Sequence, residues 1–207
     1  MPTPITPEVG PLPIEAPREL AFGVALTLLI SPALAHTGVN TVNDFYEGIL
    51  HPLLGIDHLL VMFAVGLWAG LQHNKAAWLV PVGFLSAMSI GAFISQWLLA
   101  PVLAEAVVML SVLVLGVVIW RQVGCFLPVA MALVTVFALA HGYVHALEIN
   151  ATASALEYSL GFLLTTAVLQ ALGLLLGQTL VNAQREYLAR GFGAVCTVVG
   201  LGLLTGL

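Results

Sequence analysis

Long apolar segments alternate with short polar breaks along most of this chain. Six of these segments are close to the roughly 20 residues that a helix needs to cross the hydrocarbon core of a bilayer. Backbone groups in lipid must be paired within their own segment, which favours helices, and the sequence lacks the short alternating segments of a membrane barrel. The pattern therefore predicts an all-α fold, a multi-pass transmembrane helical bundle. The predicted spans cover residues 47–71, 77–99, 102–120, 125–149, 156–178 and 191–207.

Composition supports a membrane protein and excludes other classes. Of 207 residues, 60% are hydrophobic and 7% are charged, with a mean hydropathy of +1.08, whereas soluble domains carry roughly 25% charged residues. The five basic residues are scattered singly, so the chain offers no footprint for nucleic acid. Cys125 and Cys196 have no partner spacing, and we interpret them as small apolar residues within spans rather than as a disulfide or metal ligands.

Two features of the spans predict how the helices pack. Gly66 with Gly70, and Gly173 with Gly177, are small-xxx-small pairs that allow membrane helices to approach closely, although such pairs also occur incidentally. Each half of the chain has three predicted spans and begins with a helix that carries acidic and histidine residues. Three spans per half place the halves in opposite orientations, which hints at an inverted repeat with a site at its interface.

The N-terminal segment is typical of a secretory signal peptide. The chain begins with a region rich in proline and acidic residues, which we expect to be disordered. A short apolar run then lies between Arg18 and a string of small residues that ends at Ala35, where cleavage is predicted. Residues 1–35 would be the disordered N-terminus plus signal, and residues 36–207 the six-span domain. The alternative is an uncleaved N-terminal anchor.

The distribution of charge predicts the orientation in the membrane. Loops after the first, third and fifth predicted spans hold basic residues, and loops on the other side hold acidic residues but no Lys or Arg. The basic side is cytoplasmic by the positive-inside rule. We therefore expect a multi-pass protein of a bacterial plasma (inner) membrane, with the mature N-terminus and the C-terminus both outside. The basic residues are Lys75, Arg121, Arg185 and Arg190, with Arg18 before the signal, and the acidic ones are Asp44, Glu105 and Glu157.

Two predicted spans contain histidine together with acidic residues. A charge at mid-bilayer costs about 2.5–3.5 kcal/mol even on the lenient insertion scale, so these groups need a reason to be there. We treat them as candidate functional residues. They are His51, Asp57 and His58 in the first span, and His141, His145 and Glu148 in the fourth.

Helical spacing predicts where these side chains lie. His51 and His58 are seven residues apart and share a helix face, while Asp57 lies about 100° round from His58. The three residues of the fourth span follow one another at intervals of four and three, which forms one stripe. At about 1.5 Å per residue, His58 lies some 15 Å below the outer end of its span and His141 some 12 Å. The two sets should therefore face each other in the outer half of the membrane.

The chemistry of this set points to a divalent metal ion. No Lys or Arg lies in any predicted span to pair with Asp57 or Glu148, whereas one divalent cation would neutralise both. Imidazoles would complete its coordination and suit zinc, copper, nickel or cobalt. Two other interpretations stay open, a structural hydrogen-bond network between helices and a proton relay.

Two further histidines lie outside the predicted spans. Cleavage after Ala35 would make His36 the first residue, whose α-amine and imidazole can chelate a metal; without cleavage it is an ordinary loop residue. His73 lies beside Lys75 at the cytoplasmic end of the first span, and we interpret it as a surface residue. The predicted metal ligands are therefore His36, His51, Asp57, His58, His141, His145 and Glu148.

The strings that carry these residues resemble those of the HupE/UreJ family. The first is His-x5-Asp-His, from His51 to His58, and the second is His-Gly-x-x-His-x-x-Glu, from His141 to Glu148. The signal that ends in Ala-Leu-Ala-His is also similar, and the resemblance extends from about residue 20 to the end. Members are nickel permeases associated with hydrogenase and urease maturation, with a cleaved signal and six spans, and some relatives carry cobalt. The resemblance implies the same fold and activity here.

Residues and resemblance together predict a secondary transporter rather than an enzyme, which takes up Ni²⁺, or Co²⁺, and has no prosthetic group. No Gly-x-x-x-x-Gly-Lys-Ser/Thr string for nucleotides is present, so the membrane potential would drive uptake. The expected partners are the metal ion and the lipid bilayer, with a homo-oligomer left open. The alternative is an intramembrane zinc-dependent hydrolase that activates water. The family usually has Phe and Gly where this chain has Ala140 and Ala146, which bears on packing, metal preference or rate.

Overall fold

The computed structural model describes residues 44–98, 100–149 and 153–206, and the regular structure in these ranges consists of seven α-helices. The all-α prediction is confirmed for this part of the chain. The predicted signal and His36 lie outside the described residues. The helices are α1 (Asp44–Leu54), α2 (Ile56–Leu71), α3 (Leu79–Ile94), α4 (Pro101–Trp120), α5 (Leu127–Glu148), α6 (Ala155–Asn182) and α7 (Tyr187–Thr205).

The lengths of these helices decide which of them qualify as membrane spans. Within the described ranges, α4, α5, α6 and α7 are each long and apolar enough to cross a bilayer. The bent pair of α1 and α2 qualifies as a fifth span if the two helices are counted together. The second predicted span corresponds to α3, which is apolar but has only 16 residues. The described part of the chain therefore contains four or five candidate spans by length and composition, as in a multi-pass membrane protein.

The first predicted span is not one helix. Its two parts, α1 and α2, meet at an angle of 81°. Gly55 lies between them in an extended conformation, with φ −83° and ψ 115°. Pro52 stands three residues earlier, and a proline inside a helix removes a backbone hydrogen bond and crowds the preceding turn. The prediction of a continuous helix over 47–71 is wrong, and so is the placement of His58 by its depth along that helix.

Close contact between α2 and α6 depends on the two predicted glycine pairs. A Cβ atom added to Gly66 would overlap the backbone of Gln170, and one added to Gly70 would overlap the backbone at Leu174. Gly177 in turn packs on the backbone of Gly70. The two small-xxx-small pairs therefore face each other. Gly66 contacts Gln170, and Gly70, one turn later on α2, contacts Leu174, one turn later on α6, so the two helices run parallel.

Two further helix pairs are built in the same way. Gly91 and Gly142 bring the backbones of α3 and α5 together, in parallel, and Gly116 and Gly193 do the same for α4 and α7, which run antiparallel. An inverted repeat relates the first predicted span to the fourth, the second to the fifth and the third to the sixth. Under this relation the α2–α6 pair corresponds to the α5–α3 pair, and the α4–α7 pair corresponds to itself. This is the pairing that an inverted repeat produces.

Replacing Gly66 by alanine should destabilise the protein, because the new methyl group meets backbone that cannot move aside. Overpacking of this kind costs about 1–3 kcal/mol. Gly191→Ala is the matched control, since a Cβ there meets nothing within 4 Å, and alanine is favoured over glycine in a helix by roughly 0.5–1 kcal/mol. Thermal unfolding in detergent should show a lower Tm for Gly66→Ala and an unchanged or higher Tm for Gly191→Ala. Equal Tm values for the two variants would contradict the close packing of α2 and α6.

Candidate metal centre

The structure brings six of the seven predicted metal ligands into one cluster. They come from three places: the last turn of α1, the first turn of α2, and the last two turns of α5. The side chains in this cluster are His51, Asp57, His58, His141, His145 and Glu148. The first and fourth predicted spans therefore meet, as expected, and the residues of the first span come from both sides of its break.

The outer part of the cluster converges on one carboxylate oxygen. Glu148 Oε2 lies 2.9 Å from His145 Nδ1 and 3.2 Å from His51 Nε2. One ligand atom from each of these three residues falls within 4.8 Å of the others. Bonds of about 2.0–2.2 Å to a shared metal ion place neighbouring ligand atoms roughly 3 Å apart. The two separations from Glu148 Oε2 match this value, so these three side chains could hold one ion after a small adjustment.

The inner part of the cluster begins with an aspartate–histidine pair. Asp57 Oδ1 accepts a hydrogen bond from the ring Nδ1 of His58 at 2.7 Å and another from the backbone N–H of His58 at 2.9 Å. The carboxylate lies in the first turn of α2, where the positive end of the helix dipole favours it. Because Nδ1 donates its proton to Asp57, the lone pair of His58 lies on Nε2. Carboxylates orient metal-binding histidines in this way.

Three histidines of the cluster present an unpartnered nitrogen. In each of them the ring Nδ1 donates a hydrogen bond. His141 donates to the carbonyl oxygen of Phe137 at 2.8 Å, whereas His58 and His145 donate to the carboxylates of Asp57 and Glu148. The Nε2 atoms of His58, His141 and His145 are all buried and have no hydrogen-bond partner among the described residues. The ring of His58 lies 5.6 Å from that of His141 and 4.3 Å from that of His145, centre to centre. Leaving a buried acceptor unpaired costs about 1–3 kcal/mol, which an incoming cation would offset.

Exposure falls from the outer to the inner side chains of the cluster. The side chain of Glu148 is 42% exposed, that of His51 is 24% exposed and that of His145 only 5%. His141 is fully buried. A cavity of about 150 Å³ between α3, α5 and α6 is lined by His145 and Ala146, so one of the two departures from the family pattern borders the site. A ligand therefore meets Glu148 first and the buried histidines later.

Aromatic rings that were not predicted from the sequence enclose the cluster. Phe162 lies 4.3 Å from the ring of His145, and Tyr158 lies 5.8 Å from the ring of His51. Phe84 lies 5.9 Å from the ring of His141. The only signal for Tyr158 and Phe162 was their four-residue spacing on one helix, which ordinary core aromatics share. These rings limit the contact of the imidazoles with lipid and water.

Small residues and one tyrosine hold the two motifs in place. A Cβ atom on Gly55 would lie 2.6 Å from His58 Nδ1 and 3.1 Å from Asp57 Oδ1, so the aspartate–histidine pair needs a glycine there. Tyr143, between the two α5 histidines, donates a hydrogen bond to the carbonyl of Leu98 at 2.5 Å and accepts one from the N–H of Ala100 at 2.9 Å. The last turns of α5 are thereby tied to the connection between α3 and α4.

Fold and site together define a multi-pass membrane protein with a histidine–carboxylate cluster between a broken helix and a continuous one. The family model described as HupE / UreJ protein matches residues 24–203, and the chain belongs to this family. Protein HupE of Rhizobium leguminosarum bv. viciae is 35% identical over 182 residues, which cover 87% of this chain and 95% of that protein. No solved structure matches the chain. The family predicted from the two strings is confirmed.

Gly55→Ala should weaken metal binding without removing any ligand, because the methyl group displaces the His58 ring from Asp57. Loss of a partner that orients a metal-binding histidine costs about 10–100-fold in metal affinity. Gly124→Ala is the control, since its Cβ would meet only Gln72 Oε1, at 4.0 Å. Titration of detergent-solubilised protein with Ni²⁺ should show weaker binding for Gly55→Ala alone. Equal affinities in both variants would argue against a role for the Asp57–His58 pair in metal binding.

Proposed function

We propose that this chain is a secondary permease that carries a divalent transition-metal cation, Ni²⁺ first and Co²⁺ second, into the cytoplasm. The observation that supports this most is the cluster itself, in which four histidines and two carboxylates meet at a break in a membrane helix. Ionisable groups inside a membrane protein mark ion pathways. The chain belongs to the HupE/UreJ family, whose members are nickel permeases associated with hydrogenase and urease maturation.

Capture begins at the exposed edge of the cluster. Glu148 and His51 are its more accessible members, and their ligand atoms lie within reach of one ion together with His145. The negative charge of Glu148 attracts a divalent cation, and imidazole nitrogen favours late transition metals over Mg²⁺ or Ca²⁺. If the signal is cleaved after Ala35, the α-amine and ring of His36 add a further external ligand pair.

Transfer inward depends on His145, which belongs to both parts of the cluster. Its Nδ1 is bonded to Glu148, while its buried Nε2 has no partner in the described chain. Its ring lies 4.3 Å from that of His58, whose Nε2 is also unpartnered. A cation can therefore exchange the outer ligands for the Nε2 atoms of the inner histidines, with Asp57 supplying the second negative charge.

The broken first span adds a favourable field to the site. α1 ends beside the cluster, and the carbonyl groups at a helix C-terminus carry partial negative charge. α2 begins there with partial positive charge, which Asp57 offsets from within the first turn. Discontinuous helices place such ends at ion sites in many secondary transporters.

The membrane potential is sufficient to drive the proposed transport. A divalent cation that moves inward gains about 4.6 kcal/mol per 100 mV, twice the value for a single charge.

We propose six crossings in a bacterial inner membrane, with α3 as the second and with both mature termini outside. The two helices α1 and α2 together form one of these crossings, which is broken at Gly55.

Transport fits the cluster better than the zinc hydrolase alternative. A hydrolase needs a general base beyond its metal ligands and an open position for water. Both carboxylates of the cluster are bonded to histidines, and the string from His141 to His145 lacks the glutamate of a His-Glu-x-x-His protease.

Asp57→Asn and His145→Ala should each abolish nickel uptake per folded molecule. The first removes one of two negative charges at nearly constant size, and the second removes the ligand shared by the two parts of the cluster. His73→Ala, an exposed histidine away from the cluster, is the control and should be nearly silent. Uptake of radioactive Ni²⁺ by cells, normalised to the amount of inserted protein, tests this. Normal uptake per molecule in both variants, with lowered Tm, would indicate a structural hydrogen-bond network instead.

A reporter fused after Leu207 should be active only on the non-cytoplasmic side, because every Lys and Arg of the loops falls on the opposite side. A second fusion in the loop at Lys75 should show the reverse and serves as the internal control. A cytoplasmic C-terminus would refute the six proposed crossings.

A further inference from the structure

One face of the helix α6 is buried next to the metal cluster and stays buried farther along the helix. Tyr158 and Phe162 contact the histidines, and Thr166 and Gln170 follow on the same face at intervals of four residues. Thr166 and Gln170 are both fully buried. At about 1.5 Å per residue, Thr166 lies roughly 6 Å and Gln170 roughly 12 Å farther along the helix than Phe162.

The polar atoms of these two side chains are unpartnered. Thr166 Oγ1 and both amide atoms of Gln170, Nε2 and Oε1, have no hydrogen-bond partner among the described residues. The hydroxyl of Tyr158, beside the histidines, is unpartnered as well. Two other threonines of this helix differ, since Thr165 donates to the carbonyl of Ile49 at 3.0 Å and Thr179 donates to that of Leu175 at 2.7 Å. Each buried polar group without a partner costs about 1–3 kcal/mol. Folding alone would be served better by apolar residues at both positions.

Contacts with α2 place this pair between the cluster and a second cavity. The backbone of Gln170 lies against Gly66 of α2, and Gly66 is eight residues beyond His58. Gln170 is likewise eight residues beyond Phe162 on α6, so both helices place this contact at the same distance from the cluster. An open cavity of about 470 Å³ begins a few residues farther along α2, where Trp68 and Gln72 line it. Thr166 and Gln170 are therefore buried polar residues that lie along α6 between the level of the histidines and the level of this cavity.

We propose that Thr166 and Gln170 form a second, weaker cation position, which a partly hydrated divalent metal ion occupies after it leaves the histidine cluster. This inference rests on the proposed transport function. The hydroxyl and the amide carbonyl are neutral oxygen donors, and the amide NH₂ can donate to water or to a displaced ligand. Release requires a site that binds less tightly than the imidazoles, because conduction needs binding that is weak enough to let the ion leave.

Two variants that keep side-chain size test the proposal. Thr166→Val and Gln170→Met remove the oxygen donors and leave the volume nearly unchanged. The matched controls are Thr179→Val and Gln178→Met, which make the same changes at exposed positions of the same helix. Each full-length protein is purified and measured for Tm, for Ni²⁺ binding in detergent, and for Ni²⁺ and Co²⁺ uptake into proteoliposomes with a negative interior.

Thr166→Val and Gln170→Met should each lower the uptake rate by about tenfold or more, which equals about 1.4 kcal/mol on the barrier. Their Ni²⁺ affinity should stay within about twofold of the original, and their Tm should be unchanged or higher, because no internal hydrogen bond is lost. Asp57→Asn, in contrast, should lose binding and uptake together. The two controls should match the unmodified protein in uptake.

Three results would overturn the second position. Uptake that persists in both Thr166→Val and Gln170→Met would show that the ion does not need these oxygens. A fall in Tm or in Ni²⁺ affinity that accounts for the lost uptake would show that the residues act on folding or on the outer cluster. Absence of uptake by the unmodified protein would refute the proposed function and the second position with it, and this result differs from the other two.

Discussion

A straight helix from Asp44 to Leu71 would carry His51 and His58 about 10 Å apart along its axis, because seven residues rise by that amount. The break at Gly55 brings their ring centres to 5.8 Å instead. It also lets His51 reach Glu148 while His58 stays against Asp57 and the α5 histidines. The cluster in its present form depends on this break and on Gly55, which has no side chain to displace His58 or Asp57.

The sequence was sufficient to predict the chemical content of the site but not its construction. The apolar segments and the six ionisable residues within them indicated a helical membrane protein with one polar cluster, because such residues are costly in lipid. The break could not be predicted, since Pro52 and Gly55 are residue types that intact membrane helices also tolerate. The pairing of His51 with Glu148 across the bundle depends on the 81° bend and not on any spacing along the chain. The aromatic rings around the histidines gave no signal that separates them from ordinary core residues.

Glycine contacts and polar contacts have different places in this fold. Backbone-to-backbone packing at glycines joins α2 to α6, α3 to α5 and α4 to α7. Membrane helices have little hydrophobic driving force between them, so such close packing is a main source of their association. The contacts at these glycines are made mainly by backbone atoms of the neighbouring helix, and none of them involves an acidic, basic or histidine side chain.

The histidine–carboxylate cluster lies where two of these pairs meet. His51, Asp57 and His58 belong to the helices packed on α6, whereas the other three members belong to α5, which is packed on α3. Contacts across the cluster are made by side chains, such as the one between His51 and Glu148, and side chains rearrange more readily than glycine-packed backbones. Alternating access in inverted-repeat transporters is largely a movement of one rigid part against another around a fixed site. For the proposed transport, a movement of this kind would act at the interface that holds the histidines, where His51 and Glu148 lie on different pairs while Asp57 and His58 lie on the same helix.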